Sequence, residues 1–378
     1  LTPKERIRAA LNFREPDRVP VIVGVSNATG IKMDAYRRLK VLLKIEAEDR
    51  YLYDWPELGT ALPDEEVLGR LNCDVRGIWD RFPEAVYQRN KNRAAHTNYI
   101  DDWGSGAKEI APGDWFPGIH PLAEATTIQE LEAYTGWPDM DDPYRVSHVK
   151  KAASEIKNNS NYSVMATPWL LFPFERAFAM QGLDKFLLNM AMVPEFAQAL
   201  LQKHLELCKT LMGHFLEALG DNVDIIKIGD DLGTNKSLLI SPTMYRNMLK
   251  PIHAELIAFI KERTKAKVFF HSDGDIFNLI EDFIEIGVDI LNPIQTSAGK
   301  MSDLSMLKEK YGDRIVFCGG IDTQNILPFG TPADVKKEVR RVSKILGEGG
   351  GYILASVHTI MNDVPAENIL AMVQAVED

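Results

Sequence analysis

The chain has 378 residues, 45% hydrophobic and 26% charged, with 43 Lys and Arg against 54 Asp and Glu for a net charge of −11; this is the make-up of a soluble globular protein, built as one elaborated domain or two smaller ones. With no basic block and no apolar run near the ~20 residues of a membrane helix, it is a poor nucleic-acid binder and has no place in a bilayer. Three dispersed cysteines, Cys73, Cys208 and Cys318, argue against a disulfide framework and a thiolate zinc finger, and with no apolar signal region after Leu1 they lead to the expectation of a cytoplasmic protein.

Thr2, Pro3 and Glu5 open a first helix with Ile7, Ala10 and Leu11 on one face, ended by Pro16-Asp17. Val19 to Val25 reads as a buried strand, residues 31 to 48 carry helical spacing (Ile31, Tyr36, Leu39, Leu42, Leu43), and Asp74 to Trp79 is a brief extended run. From about Asp80 to Asp142 periodicity is lost. The stretch is rich in Trp, Tyr, Pro, Gly and Asp, and Tyr99 to Gly106 reads as a hairpin with its turn. A long irregular insertion in a compact protein is usually functional, so it is expected as a lid or rim over a site, although its aromatic residues serve equally well to pack it onto the body.

Regularity returns at Val149. Strand Tyr162–Thr167 ends at Pro168-Trp169, a helix follows around Phe174 to Met180, and a long helix runs from Pro194 to Leu219 with Cys208 in its apolar stripe. Strand Val223–Ile228 ends in Gly229-Asp230-Asp231-Leu232-Gly233. Ser241-Pro242 caps a helix running to about Arg263, where Pro251 predicts a kink. Strand Lys267–Phe270 ends in His271-Ser272-Asp273-Gly274, strand Val288–Leu291 in Asn292-Pro293, strand Ile315–Cys318 in Gly319-Gly320-Ile321-Asp322, and strand Tyr352–Ala355 in Ser356-Val357-His358, with helices near 276–286, 303–311, 332–346 and after Pro365. His204, His214 and His253 fall within helices and read as surface or core-edge residues.

Eight strands alternating with helices predict a parallel sheet closed into a (β/α)8 TIM barrel, with the 80–142 insertion over its C-terminal face. The rival doubly wound sheet lacks a Gly-x-Gly-x-x-Gly after the first strand. In a barrel the loops after the strands hold the chemistry. Here they carry Thr167, Asp230, Asp231, His271, Asp273, Asn292, Gln295, Asp322 and His358. On an extended backbone His271 and Asp273 face the same way, roughly 6.5 Å apart, and can converge on one metal ion or substrate group.

From residue 160 onward the chain resembles the uroporphyrinogen decarboxylase superfamily, which also holds corrinoid-dependent methyltransferases and O-demethylase components. The matching pieces are Asp230-Asp231-Leu232-Gly233 with Leu239 to Tyr245, Phe270 to Gly274, Gly287 to Pro293, Gly319 to Asp322, and His358 followed by Val364 to Asn368. Decarboxylases of the family carry an arginine-rich segment after the first strand; here that position reads Val25-Ser26-Asn27-Ala28-Thr29-Gly30, with no clamp for an octacarboxylate. The methyltransferase branch has a His-x-Cys motif and a third zinc ligand after the last strand. The resemblance therefore implies His271, Asp273 and His358 as metal ligands, an oxygen replacing the thiolate, with one position left open.

The leading expectation is a methyltransferase that takes a methyl group from a small methylated donor, such as an aryl methyl ether, and passes it to a corrinoid on a separate protein. Zinc on His271, Asp273 and His358 would polarise the ether oxygen, Asp230 or Asp231 would orient the donor or act as acid, and Thr167, Trp169, Asn292, Gln295 and Asp322 would line the substrate site. Two alternatives are a decarboxylase of a smaller acid and a catalytically silent binding barrel. A homo-oligomer stays open.

Overall fold

In the computed structural model, which describes residues 1–91, 98–111, 114–169 and 173–377, the apolar runs become parallel strands. In chain order they are β1 (Val75–Ile78), the antiparallel set β2 (Tyr99–Ile100), β3 (Gly106–Ala111) and β4 (Asp114–Ile119), then β5 (Ser163–Ala166), β6 (Ile225–Gly229), β7 (Lys267–His271), β8 (Ile290–Ile294), β9 (Val316–Ile321) and β10 (Tyr352–Ser356). The main sheet runs β1-β5-β6-β7-β8-β9-β10 with every neighbouring pair parallel. Residues of β5, β6, β8, β9 and β10 are buried throughout. That explains why these segments read as continuous apolar runs rather than alternating ones: helices cover one face and the barrel interior the other.

The eighth position is filled by residues 20–22. Val21 bridges Leu354 in parallel, with Ile22 N–H donating to the Leu354 carbonyl at 2.9 Å and Leu354 N–H to that of Pro20 at 2.8 Å. On the other side the Val21 carbonyl accepts the Asp74 N–H at 2.9 Å. The eighth strand expected over Val19–Val25 is thus a short bridge rather than a ladder. Pro20 has no N–H to offer, and the N–H of Val21 is taken by the Asp74 carboxylate at 2.8 Å. Asp74, fully buried, also holds Arg6 at 2.7 Å and Arg18 at 2.9 Å, tying the first helix (Pro3–Leu11) to this junction. The ring is the expected TIM-barrel type of fold.

Where the sequence predicts a kink at Pro251, the helix changes its winding. Between Pro242–Met244 and the helix Lys250–Lys261 lies a π-turn over Tyr245–Leu249, which absorbs the missing donor and the ring of the proline without ending the helix. Pro194–Leu219 is one helix of 26 residues, with Cys208 in its buried stripe.

Within the irregular stretch, the turn between β2 and β3 is closed by Asp101, whose Oδ1 accepts the N–H groups of Trp103 at 3.0 Å and Ser105 at 2.9 Å. β4 packs on the helix Pro173–Gln181. Asp101 pairs with Arg176 of that helix at 2.6 Å, and Tyr99 stacks on Trp55 with ring centroids 4.8 Å apart. Residues 92–97 and 112–113 of the 80–142 insertion lie outside the described residues.

Candidate active site

The ends of β6 and β7 run side by side, Gly229 opposite His271. Gly229 is required there: a Cβ on it would sit 2.2 Å from the His271 carbonyl oxygen. One turn on, Gly274 adopts φ +94° where its own Cβ would strike the backbone of Gly233 at 2.4 Å. Two glycines thus let the loop after β6 press against the loop after β7, bringing Asp231 to His271 and Asp273.

The His271 ring is oriented by Asn292. Asn292 gives its amide N–H to the Cys318 carbonyl at 3.3 Å, so its Oδ1 faces the ring and accepts the His271 Nδ1–H at 2.7 Å. The other nitrogen, Nε2, is left as a lone pair 3.7 Å from Asp231 Oδ1 and 3.7 Å from Asp273 Oδ2. Burial pushes His271 down to about 4, so the ring is neutral near pH 7. His358, half exposed after β10, brings its Nε2 to 3.6 Å from Asp273 Oδ2, and the two imidazoles lie 6.4 Å apart. The potential ligand atoms of Asp231, His271 and Asp273 all fall within 4.8 Å of one another.

Three carboxyls crowd this place. Burial, then the charges of Asp231 and Asp230, hold Glu175 well above the usual carboxylate range, and burial with Asp231 does the same to Asp273. Burial also works against the charge on Asp231, but the His271 ring when protonated, the Asp273 N–H and a hydrogen bond with Glu175 outweigh it and hold its carboxyl below the usual range. The opposite shifts favour the proton on Glu175 over Asp231, whose backbone N–H donates to Glu175 Oε1 at 3.3 Å. Beneath them Lys227 of β6 is buried, its ammonium pushed down to about 8 by desolvation against the pull of Glu175, Asp231 and Asp273.

Beside Glu175 opens a cleft of about 330 Å³ whose walls include Trp55, Tyr99, Trp169 and Phe178. The indoles of Trp55 and Trp169 stand perpendicular, centroids 4.8 Å apart. A separate, polar hollow is lined by Asp273, His358, Asn235 and Gln324.

Residues 114–378 match the family model described as Uroporphyrinogen decarboxylase (URO-D), more than half of the chain. The chain belongs to the uroporphyrinogen decarboxylase family. A uroporphyrinogen decarboxylase of Coxiella burnetii is 25% identical over 205 residues, 52% of this chain and 52% of the relative, so the chain spans about half the length of that relative. One of Legionella pneumophila (strain Lens) is 24% identical over 277 residues, covering 71% of this chain and 72% of its own. Among solved structures, a methyltransferase from Methanosarcina mazei superposes over 100% of this chain and 98% of its own with a TM-score of 0.67 at 19% identity, a likeness of fold.

Against this family fold, the residues expected from sequence divide into two groups. His271, Asp273, His358 and Asp231 come together, and Trp169 lines the aromatic cleft. The others are turned to structural work. Asp230 is fully buried, its carboxylate accepting the N–H groups of Phe174 at 3.0 Å and Glu175 at 2.8 Å and meeting His253 Nε2 at 2.8 Å, so it anchors a helix start and has no face toward a substrate. Asn292 is buried with both amide ends engaged, and serves His271. Gln295 is likewise committed, to the Gly274 N–H and to Asn235, both at 2.7 Å. Asp322 folds back on its own loop through Gln324 and Asn325, and Thr167 is buried against the Ile78 carbonyl. The histidines expected at the surface or core edge differ: His204 and His253 are buried, and His214 is partly exposed, facing Asp141. Cys318 is a buried thiol, as expected.

Sequence reading missed Lys227 and Glu175. For Lys227 a signal existed, an ammonium in the middle of the apolar run Val223–Ile228. For Glu175, at the start of a helix, there was none.

The donor set suits zinc. Two ligands at about 2.0–2.1 Å from a tetrahedral zinc lie roughly 3.4 Å apart, close to the 3.6 and 3.7 Å separations among His271, Asp231, Asp273 and His358. Asp273 Oδ1 is buried without a hydrogen-bond partner, an acceptor left for a cation. The second ring nitrogen of His271 is already engaged, as a metal-binding imidazole requires.

Proposed function

We propose that this member of the family is a methyltransferase that removes the methyl group of a small donor, an aryl methyl ether in the leading case, and delivers it to a corrinoid carried by a separate protein. The reading is supported most by one observation, the two imidazoles and two carboxylates gathered at the strand ends beside an aromatic cleft. Zinc held by His271, His358 and Asp273, with the fourth position left open beside Asp231, would supply a Lewis acid for the ether oxygen. The chain's own groups do the rest. The aromatic walls hold the ring, Glu175 stands where cleft and ligand cluster meet with a proton to give, and Asp231 takes part of the hydrogen bond while Lys227 balances the carboxylates from below. When the methyl–oxygen bond breaks, the departing oxygen keeps the electron pair and takes the Glu175 proton, which solvent restores. The hairpin of β2, β3 and β4 serves in this reading as the cover of the cleft.

The test is methyl transfer to reduced corrinoid, followed by the cobalt absorbance change with a panel of methoxylated aromatics, with and without chelator. Transfer that is abolished by chelator and restored by zinc supports the reading; its absence with every donor overturns it. A second reading, decarboxylation of a smaller acid, is favoured by the names of the Coxiella and Legionella relatives. Release of carbon dioxide from a carboxylic acid, unaffected by chelator, would establish it.

A further inference from the structure

The walls of the aromatic cleft carry information about charge. Among the described residues its one arginine, Arg176, is closed off: the guanidinium is bound to Asp101 at 2.6 Å, both side chains about nine-tenths buried, and lies 4.9 Å from the centre of the Trp103 ring. Asp101 is fixed in turn by the two backbone N–H groups that make the β2–β3 turn. Among the described residues, the other ionisable groups on the wall are Glu175, an acid, and the Tyr99 phenol, which burial keeps neutral. A carboxylate on the substrate would thus enter beside a carboxyl and an already neutralised ion pair, losing its water for nothing in return.

We propose that the cleft selects uncharged aromatic rings, methoxybenzenes and methoxyphenols, and rejects methoxybenzoates, with the Asp101–Arg176 pair as the element that sets this preference. The inference rests on the methyltransferase reading for the identity of the methyl-bearing group, and on the cleft alone for the charge. Flat faces suit flat ligands. Trp55, Tyr99, Trp169 and Phe178 give the cleft flat aromatic walls, and its volume of about 330 Å³ lies within the usual range for a small-molecule site. The pair also contains its own switch. Replacing Asp101 by Asn keeps the Oδ1 acceptor of the turn but removes the charge facing Arg176, which is then available to a substrate carboxylate.

Binding is measured by calorimetry on the full chain with guaiacol and with methoxybenzoate near neutral pH. Guaiacol is expected to bind at least tenfold more tightly, Trp169→Ala to weaken it at least tenfold, and D101N to narrow or invert the preference. Equal or tighter binding of methoxybenzoate by the unmodified protein, or no binding of either ring, overturns the proposal. An unchanged preference in a D101N protein whose circular dichroism and melting match the unmodified chain also overturns it. If D101N does not fold, the comparison of the two ligands on the unmodified protein decides. Guaiacol binding with the expected preference but no methyl transfer would leave the cleft assignment standing and remove the methyltransferase reading; transfer from methoxybenzoate at equal efficiency would do the reverse.

Discussion

Asn292 and His271 form the hydrogen bond on which the candidate site turns: at 2.7 Å the amide oxygen accepts the Nδ1–H and leaves Nε2 facing Asp231 and Asp273. Such a partner fixes both the tautomer and the plane of a ligand ring. Asn292→Ala is therefore expected to weaken zinc binding about 10- to 100-fold, read by competition with a chromogenic chelator, while the far-ultraviolet circular dichroism stays unchanged.

Removing the ligand itself has a larger effect. His271→Ala is expected to lose the metal, by elemental analysis of the purified protein, and with it methyl transfer. Cys318→Ser, altering a thiol buried on β9 that burial pushes far up its scale, is expected to retain both. Full activity in His271→Ala would remove the metal from the mechanism.

Asp230 and Asp231 are adjacent in sequence and opposite in consequence. Asp230→Ala deletes the acceptor of two backbone N–H groups and leaves His253 without its partner, which is expected to cost about 3–5 kcal/mol by urea denaturation. Asp231→Asn relieves crowding with Glu175 and Asp273, so stability is expected to hold while zinc binding falls.

Asp80 gives a pH signature. Burial raises its carboxyl to about 6 from an ordinary value of 3.8, so the folded protein holds a proton that the unfolded chain releases. Its favourable contribution is complete below about pH 4 and is lost as pH rises through 6. A difference of roughly two units corresponds to stability on the order of 3 kcal/mol. Asp80→Asn, which keeps an oxygen for the Trp169 N–H, is expected to flatten the dependence of unfolding free energy between pH 4 and 6; an unchanged slope would assign it to another group.

The strand ends were legible because a buried parallel strand is a short apolar run that stops at polar residues. His271, Asp273 and His358 stood among the polar residues at those ends, and the family resemblance singled them out as ligands; Pro251 signalled an irregular helix because a missing N–H has few remedies. What decided between Asp230 and Asp231 was not in the sequence. Both follow β6 in a polar loop, and their difference comes from a helix start and from His253, contributed by separate elements. Glu175 became a site residue only when its helix docked against β6. The same applies to Asn292: a polar residue at a strand end reads as a substrate contact until its neighbours use both ends of the amide.

The pairing of residues 20–22 with Leu354 also constrains how the molecule is made. The seam joins segments about 330 residues apart, and at the roughly 5–20 residues per second of synthesis it stays open for roughly twenty seconds to a minute after the first segment has emerged. Throughout that interval residues 20–22, already seated beside Asp74, present an unpaired edge on the side that Leu354 will occupy, and His358 has not yet been made. The nascent chain is thus an open ring with an unpaired border, exposed to chaperones and to edge-to-edge association, and the cluster of Asp231, His271, Asp273 and His358 is completed only among the last events of its synthesis.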